Sequence, residues 1–408
     1  MKLTGPFKQL LTMDHLPDRG QLSDDQLEII PDGGIVHREG KIIATGNFNA
    51  LKEAYSDATI EWIEGDYVGL PGMIDVHTHI CWAGSRANDY AMSLSGKSYL
   101  EIAAMGGGIW DTVRKTREAT IEELAEYTQQ RAMRVLRQGV TTIEVKSGYG
   151  LSVKEELKIL EAIALVNKRS GAELIPTCLA AHILPKDFKG TEKEYLQLIL
   201  NTLLPEVKKQ KLADRVDIFV ESSAFSVAEA TNYLLKAREL GFDIVLHGDQ
   251  FSTGSVTVAN AVNALSIDHL EAANVREIAL LAEGNTIPVV LPGASIGLGV
   301  PFAPARKMLD VGTSLVIASD WNPGSAPMGN LLTEAAILGA MEKLTMCEVW
   351  AALTCRAAQA LNKTDRGILK QGFVADILAF KTNDYKEILY RQGQLNAGIV
   401  WKKGEIVY

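Results

Sequence analysis

The sequence predicts an α/β protein, a (β/α)8 TIM barrel of eight parallel strands with a small β-sandwich domain built from both chain ends. Three observations predict this fold: eight short apolar runs alternate with amphipathic segments, both flanks switch to short alternating pieces, and no GxGxxG turn follows the first run. The missing glycine turn disfavours an open doubly wound sheet, which is the alternative. We expect the small domain to comprise residues 1–69 and 366–408, and the barrel to comprise residues 70–365.

Each apolar run is typical of a strand that is buried on both faces, as in a parallel sheet covered by helices. The runs are, in chain order, 74-IDVHTH, 141-TTIEVKS, 173-ELIPTCLAAH, 216-VDIFVES, 243-DIVLHGD, 264-ALSIDHL, 286-TIPVVLPG and 313-TSLVIASD. Eight strand and helix units spread over about 250 residues match the size of a closed barrel.

The segments between the runs carry signals for the start and the end of helices. A Ser or Thr followed three residues later by Glu has the spacing of a capping box, and this pattern begins at Thr120, Ser152, Thr191, Ser226 and Thr345. A glycine just past the last helical turn is a common helix end, and we expect this role for Gly139, Gly171 and Gly241.

The two flanks predict the small domain. Residues 27–69 contain IVHREGKIIATG and TIEWIEGDYVG, and residues 373–408 contain FVADILAF and AGIVWKKGEIVY. Short alternating pieces separated by glycine turns are typical of antiparallel strands. Because the same pattern stands at both ends, we expect the two ends to fold together.

Composition and charge exclude several classes of partner. The net charge is −9 and no Lys/Arg-rich run occurs, so we expect no nucleic-acid partner. Four scattered cysteines without a CxxC motif predict reduced thiols and a cytoplasmic location. The N-terminus lacks the apolar stretch of a signal peptide. Residues 284–305 are uncharged but contain four prolines, which predicts a strand and a glycine-rich loop rather than a membrane span.

Histidines gather at the predicted carboxyl ends of the strands, where a barrel of this kind carries its chemistry. Five of the seven lie there: His77, His79, His182, His247 and His269. One residue separates His77 from His79, so on a strand both imidazoles would point to the same face. An isolated HxH pair is more often a surface feature, but five histidines on one rim favour a metal site. We interpret His15 and His37 as structural.

The ligand set that the strand ends offer to one divalent cation is His77, His79, His247 and Asp320. Nitrogen and carboxylate ligands of this kind suit zinc or iron and disfavour calcium. A cation held in this way can lower the pKa of a bound water to about 7. These residues therefore indicate metal-assisted hydrolysis or deamination of a small molecule.

Other polar residues at the strand ends suggest supporting roles. We expect His269 to shuttle protons, because the pKa of an imidazole lies in the useful range. Lys146 is interpreted as a salt-bridged lysine at the rim rather than a carbamylated metal ligand. Arg86 is the best-placed cation for an anionic substrate, since a guanidinium matches the fork of a carboxylate. Glu221 is expected to orient its neighbours.

The motifs PGMIDVHTH, HGD, DHLE and ASD resemble those of the amidohydrolase superfamily. Within it, GKSYLEIAAMGGGI, EVKSGYGL, HGDQFS and ASDWNPGSAP resemble the imidazolonepropionases, and the likeness extends over essentially the whole chain. The resemblance implies a homodimeric enzyme of histidine degradation that hydrolyses 4-imidazolone-5-propanoate to N-formimidoyl-L-glutamate with one Zn or Fe ion. A related cyclic amidohydrolase or a deaminase is the alternative. A metal-free scaffold is disfavoured because all four ligands are present.

The resemblance also implies roles for individual residues. It gives the same four metal ligands, and it implies substrate contacts for Arg86, Tyr99, Tyr149, His182, Gln250, Asn322, Gly324 and Ser325. The catalytic candidates are Asp320, His269, Gln250 and His182. Some members carry Glu at the position of Gln250, and a glutamine cannot accept a proton as a base. The base is therefore left open between Asp320, His269 and a metal-held hydroxide. The stretches FVESSAFS and LPGASIGLG also depart from the family pattern.

Overall fold

The computed structural model describes residues 1–97 and 99–408, and for residues 99, 100 and 103 it describes the backbone alone. Along these residues the strands are β1 (Lys2–Leu11), β2 (Ile29–Arg38), β3 (Lys41–Asn47), β4 (Thr59–Trp62), β5 (Val68–Pro71), β6 (Met73–Asp75), β7 (Val140–Lys146), β8 (Glu173–Ala181), β9 (Arg215–Val220), β10 (Asp243–Gly248), β11 (Ser266–His269), β12 (Ile287–Val290), β13 (Val316–Ile317), β14 (Ile377–Phe380), β15 (Ile399–Lys402) and β16 (Glu405–Ile406).

The helices lie mainly between the barrel strands. They are α1 (Phe48–Ala54), α2 (Ala87–Leu94), α3 (Tyr99–Ala104), α4 (Ile109–Glu118), α5 (Ile121–Arg137), α6 (Val153–Asn167), α7 (Glu192–Leu198), α8 (Leu204–Gln210), α9 (Val227–Glu239), α10 (Ser255–Ala261), α11 (Val275–Glu283), α12 (Pro292–Leu298), α13 (Ala305–Asp310), α14 (Leu331–Glu342), α15 (Met346–Leu353), α16 (Cys355–Ala360) and α17 (Lys386–Tyr390). A short 3-10 turn at Asp24–Gln26 and a π turn at Ile199–Leu203 complete them.

The strands β6 to β13 pair in chain order to form one parallel eight-stranded sheet. A parallel bridge between Thr78 and Trp321 joins its first and last strands. Two backbone hydrogen bonds of 3.0 Å reinforce this seam, from Asp320 N to the His77 carbonyl and from His79 N to the Trp321 carbonyl. The predicted closed barrel is confirmed, and residues expected to bind metal form its seam.

A second sheet, called here the flank sheet, combines strands from both ends of the chain. Its order is β16-β15-β14-β5-β1-β2-β3, and β4 also pairs with β1. The two ends meet where β14 lies antiparallel to β5, with Leu378 opposite Leu70. Phe7, Leu10 and Trp401 are fully buried in its core. A small β-domain built from both ends is thereby confirmed, whereas the division at residues 69/70 and 365/366 stays a prediction.

The helix signals are followed in most places. Thr120, Thr191 and Thr345 form complete capping boxes. Ser152 and Ser226 accept the expected amide hydrogen bond, but their own amides do not donate the reciprocal bond to the Glu side chain. Gly139 and Gly241 end their helices with φ of 99° and 83°. The prediction for Gly171 is wrong: α6 already ends at Asn167, whose side chain accepts the Leu174 amide.

Residues 284–305 fold within the barrel. They contain β12 as expected, but α12 replaces the predicted glycine-rich loop, with Pro292 in its first turn, where a missing amide proton costs nothing. Within the described residues, no helix combines the length and the apolar character that crossing a bilayer requires.

A candidate metal centre at the mouth of the barrel

Four side chains meet inside the carboxyl end of the barrel. His77 and His79 follow β6, His247 lies in β10 and Asp320 follows β13. His79 Nε2 lies 3.2 Å from His77 Nε2 and 3.4 Å from His247 Nε2. Asp320 Oδ1 lies 3.4 Å from His77 Nε2 and 3.3 Å from His79 Nε2. All four side chains are buried, and the spacing brings together residues that are up to 243 positions apart in the chain.

These separations match those of ligand atoms around one small cation. Bonds of about 2.0–2.1 Å in a tetrahedral site place neighbouring ligand atoms about 3.3–3.4 Å apart. The nitrogens of His77, His79 and His247 also satisfy the distances expected of a metal-binding group. The donor set and its spacing therefore fit a divalent cation.

Two buried carboxylates hold the ligand imidazoles from behind. His77 Nδ1 lies 2.6 Å from Asp268 Oδ2, and His247 Nδ1 lies 3.0 Å from Asp217 Oδ2. A carboxylate accepts the Nδ1 proton, which leaves the Nε2 lone pair free for a metal. His79 Nδ1 is buried and has no hydrogen-bond partner among the described residues.

The electrostatics of the centre favour neutral imidazoles at His79 and His247, a protonated imidazole at His77 and an anionic carboxylate at Asp320. Burial lowers the pKa of His79 and His247 to about 3. Burial and the charge of Lys146 lower the pKa of His77, but Asp268 and Asp320 outweigh them and raise it to about 9. A cation that binds there therefore displaces a proton from His77. Burial would raise the pKa of Asp320, but hydrogen bonding to His77 and His79 keeps it well below its usual value.

The backbone at the strand ends adopts a strained conformation. Asp249, His269 and Asp320 have positive φ of 52°, 90° and 51°. Side chains other than glycine rarely occupy this region, and such residues are often found at functional sites. The turn after each strand therefore departs from the sheet direction where the candidate site residues lie.

His182 and Tyr149 extend the site beside His79. The His182 ring stacks on that of His79, with centroids 5.4 Å apart and planes at 17°. Its Nδ1 lies 3.0 Å from the Gly148 carbonyl oxygen, which can only accept, so Nδ1 carries the proton. Burial lowers the pKa of His182 to about 3, so the neutral ring offers Nε2 as an acceptor. Burial also raises the pKa of Tyr149, whose protonated hydroxyl can donate.

His269 lies beside two of the ligand histidines, His77 and His247. Its ring centroid is 5.8 Å from that of His77 and 5.3 Å from that of His247. His269 Nδ1 lies 3.4 Å from Glu271 Oε2, and both side chains are almost fully buried. A carboxylate on one ring nitrogen leaves the other available for proton transfer.

Arg86 enters the site from the loop after β6. Its Nε donates a 2.5 Å hydrogen bond to Asp89 Oδ2, an oxygen that also accepts the Gly108 amide at 2.8 Å. A Cβ at Gly324 would lie 2.8 Å from Arg86 Nη1. The guanidinium therefore lies against the turn that follows Asp320.

That turn is organised by Asn322. Its Oδ1 accepts the amides of Gly324 at 2.7 Å and Ser325 at 2.9 Å. Its Nδ2 donates to the carbonyl oxygen of Asp320 at 2.7 Å. Asn322 thus connects Gly324 and Ser325 to the backbone of a candidate metal ligand.

Gln250 lies in a loop that two carboxylates hold. Asp249 Oδ1 accepts the Ser255 amide at 2.9 Å. Glu221 accepts the amides of Phe251 at 2.9 Å and Ser252 at 3.0 Å, the orienting role expected for it. Gln250 itself is nearly buried between these two anchors.

Sequence reasoning missed Asp217 and Asp89, and it gave Asp268 no role. The signal for Asp217 was a charged residue within the apolar run VDIFV. The prediction of a rim position for Lys146 is wrong: the side chain is fully buried beneath the ligand histidines, where three carboxylates surround it. The predicted contact of Tyr99 lies outside the described side chains.

Comparison of the sequence with known proteins finds relatives over nearly its full length. Residues 98–408 match the model of the amidohydrolase family. The imidazolonepropionase of Bacillus cytotoxicus is 39% identical over 98% of this chain and 95% of its own length. The imidazolonepropionase of Bacillus mycoides is 40% identical with the same coverage.

Comparison with solved structures finds the same fold at low sequence identity. Atrazine chlorohydrolase from Arthrobacter aurescens, complexed with zinc, is 15% identical with a TM-score of 0.71, covering 100% of this chain and 95% of that one. Guanine deaminase from C. acetobutylicum, with bound guanine, is 16% identical with a TM-score of 0.70 and covers 100% of both chains.

Proposed function

The chain belongs to the amidohydrolase family and, within it, to the imidazolonepropionases, and we propose that one divalent ion, zinc or iron, is held by His77, His79, His247 and Asp320. The protein hydrolyses the ring C–N bond of 4-imidazolone-5-propanoate, giving N-formimidoyl-L-glutamate in histidine degradation. The observation that carries the metal proposal is the 3.2–3.4 Å spacing of the facing ligand atoms.

The buried charges support a cation at this centre. The ammonium group of Lys146 faces Glu144, Asp217 and Asp268, whereas Asp320 faces the imidazoles of His77 and His79. A buried charge is stable only when it is compensated, and a divalent cation between the histidines and Asp320 would supply that compensation.

Substrate binding is assigned to the loops around the mouth. Arg86 pairs with the propanoate carboxylate through its two terminal nitrogens, while Asp89 holds its Nε. Tyr149 donates a hydrogen bond through its hydroxyl, and His182 Nε2 accepts one from a ring N–H. Neutral His182 has no proton on Nε2 to donate, so it does not polarise the ring carbonyl.

The turn from Asn322 to Ser325 lies against Arg86 and is assigned to the open-chain end of the product. Gln250 orients the substrate through its amide and cannot act as a base.

Bond cleavage needs one proton acceptor and one proton donor. A divalent cation in this position, when bound, polarises a carbonyl oxygen and acidifies a water molecule. Asp320 accepts a proton from the attacking water through its second carboxylate oxygen. The water oxygen forms a bond to the ring carbonyl carbon, the C–N bond breaks, and His269 Nε2 delivers a proton to the leaving nitrogen. The proton that Asp320 took from the water then replaces the one that His269 gave, so both side chains return to their starting state.

The test is incubation of the metal-loaded protein with freshly prepared 4-imidazolone-5-propanoate. We expect the ultraviolet absorbance of the ring to disappear, with formation of the ring-opened product and no release of ammonia. Ammonia release from an amino-substituted heterocycle, with no turnover of the imidazolone, would contradict this activity.

We also propose that the protein acts in the cytoplasm as a homodimer on a small molecule, without nucleic acid. The four cysteines, which are buried and form no disulfide in the described part of the chain, support the cytoplasm, and the net charge of −9 supports the absence of nucleic acid. The homodimer rests on the resemblance to the imidazolonepropionases alone.

A further inference from the structure

Lys146 occupies the interior of the barrel beneath the candidate metal centre. Its Nζ lies 2.8 Å from Glu144 Oε2, 2.8 Å from Asp217 Oδ2 and 3.4 Å from Asp268 Oδ2. The lysine and all three carboxylates are at most 1% exposed. An ammonium group therefore stands among three anionic groups with no access to water.

Two of these carboxylates also hold ligand histidines. Asp268 Oδ2 lies near both Lys146 Nζ and His77 Nδ1. Asp217 Oδ2 lies near Lys146 Nζ, and His247 Nδ1 lies 3.0 Å from that oxygen and 3.1 Å from Asp217 Oδ1. One cation thus connects to two candidate metal ligands, each through one carboxylate.

The same place has the donor groups of a metal site. Ligand atoms of Asp217, His247 and Asp268 lie within 4.8 Å of one another. Two neighbouring carboxylates in a dry interior repel each other unless a cation lies between them. Here that cation is the ammonium group of Lys146.

We propose that Lys146 is a positioning residue that takes the place of a second metal ion. Its ammonium group holds Asp217 and Asp268 in position, and they in turn aim the Nε2 atoms of His77 and His247 at the single catalytic ion. This inference rests on the proposed four-ligand site. Loss of the positive charge leaves the two carboxylates mutually repelling, so the histidines are held less firmly and the ion binds less tightly.

The test compares metal affinity between variants of the purified metal-free protein by competition with a chromophoric zinc chelator. Lys146→Met keeps the length of the side chain and removes the charge. We expect its zinc affinity to fall by about 10–100-fold, the usual effect of losing support behind a metal ligand. Circular dichroism and thermal melting establish that each variant is folded.

Lys402→Met is the matched control. Lys402 is also a buried lysine, 7% exposed, with its Nζ 2.6 Å from Asp376 Oδ2, but it belongs to β15 of the flank sheet. Its loss should reduce stability and leave zinc affinity unchanged. Equal loss of zinc affinity in both variants would show a general effect of destabilisation and overturn the proposal.

Lys146→Ala tests the charge directly and covers the case in which Lys146→Met does not fold. Methylammonium should restore zinc affinity to this variant, whereas methanol, a neutral molecule of similar size, should not. Binding of a second zinc ion by Lys146→Ala would also support the proposal. Unchanged affinity in Lys146→Met or Lys146→Ala, or failure of methylammonium to restore the loss, would overturn it. Absence of zinc binding by the unmodified protein would instead contradict the proposed metal site.

Discussion

His77 Nδ1 lies 2.6 Å from Asp268 Oδ2, although the two residues are 191 positions apart in the chain. The contact crosses the barrel interior from the end of β6 to β11. It keeps the Nδ1 proton of His77 on the side of the carboxylate and turns Nε2 toward the other candidate ligands. The orientation of a first-strand ligand is therefore set by a strand from the second half of the barrel.

Asp268→Asn should weaken metal binding while preserving the shape of the side chain. The amide is a weaker acceptor for the imidazole proton and removes the negative charge that supports it. We expect about 10–100-fold lower affinity for zinc in a chelator competition. Asp376→Asn, which removes the partner of Lys402 in the flank sheet, is the control, and equal affinities in both variants would contradict this role of Asp268.

Arg86→Ala should act mainly on substrate binding. A charged hydrogen bond contributes about 1.5–3 kcal/mol, so we expect kcat/KM to fall by about 10–100-fold, chiefly through a higher KM. Steady-state kinetics on 4-imidazolone-5-propanoate measure both constants. Arg114→Ala removes a largely exposed arginine from α4 and should change neither constant. An unchanged kcat/KM in Arg86→Ala would eliminate the carboxylate clamp.

Gly324→Ala should displace the guanidinium of Arg86 without removing any hydrogen-bonding group. The new Cβ would lie 2.8 Å from Arg86 Nη1, so the arginine must move. We expect a higher KM and an unchanged melting temperature, because Gly324 is not among the glycines with positive φ. In the Arg86→Ala background the substitution should have no further effect on KM. Additive effects of the two substitutions would show that Gly324 acts by another route.

His37 should give the flank sheet a pH-dependent stability. Burial lowers the pKa of His37 against the opposing effect of Glu61, and its Nε2 lies 3.0 Å from Thr4 Oγ1. The unfolded chain therefore takes up a proton here more readily than the folded one. The contribution of neutral His37 to the free energy of unfolding is present above about pH 6.5 and is lost as the pH falls below that value.

His37→Gln should accordingly reduce the fall in melting temperature between neutral and mildly acidic buffer. Uptake of one proton on unfolding changes the free energy of unfolding by at most about 1.4 kcal/mol per pH unit. His15→Gln, in which the replaced side chain is 83% exposed, is the surface control. An identical pH dependence in the unmodified protein and in His37→Gln would refute the assignment.

The barrel could be predicted from sequence because each strand is buried on both faces and therefore has a continuous apolar run. The ligand histidines could be predicted because carboxyl ends of parallel strands meet on one rim. The pairing of His247 with Asp217 could not, since nothing in the spacing of residues states which side chains meet inside a barrel. The same limit applies to Lys146. A lysine at a strand end is expected to be exposed to solvent, but carboxylates from β9 and β11 contact its side chain and bury it.

Local backbone conformation and hydrogen bonding were also beyond what the sequence could predict. Proline and glycine in the stretch after β12 suggested a loop, but the helix α12 accommodates Pro292 in its first turn. The fixed proton on His182 Nδ1 could not be inferred either, because it depends on the carbonyl oxygen of Gly148 from another strand end.

Anomalous diffraction from zinc in crystals of the metal-loaded protein tests most directly whether the strand ends surround one cation. We expect a single peak per chain, within bonding distance of Nε2 of His77, His79 and His247 and of Asp320 Oδ1. Absence of a peak there, or a second peak between Asp217 and Asp268 where Lys146 lies, would contradict a centre built for one ion.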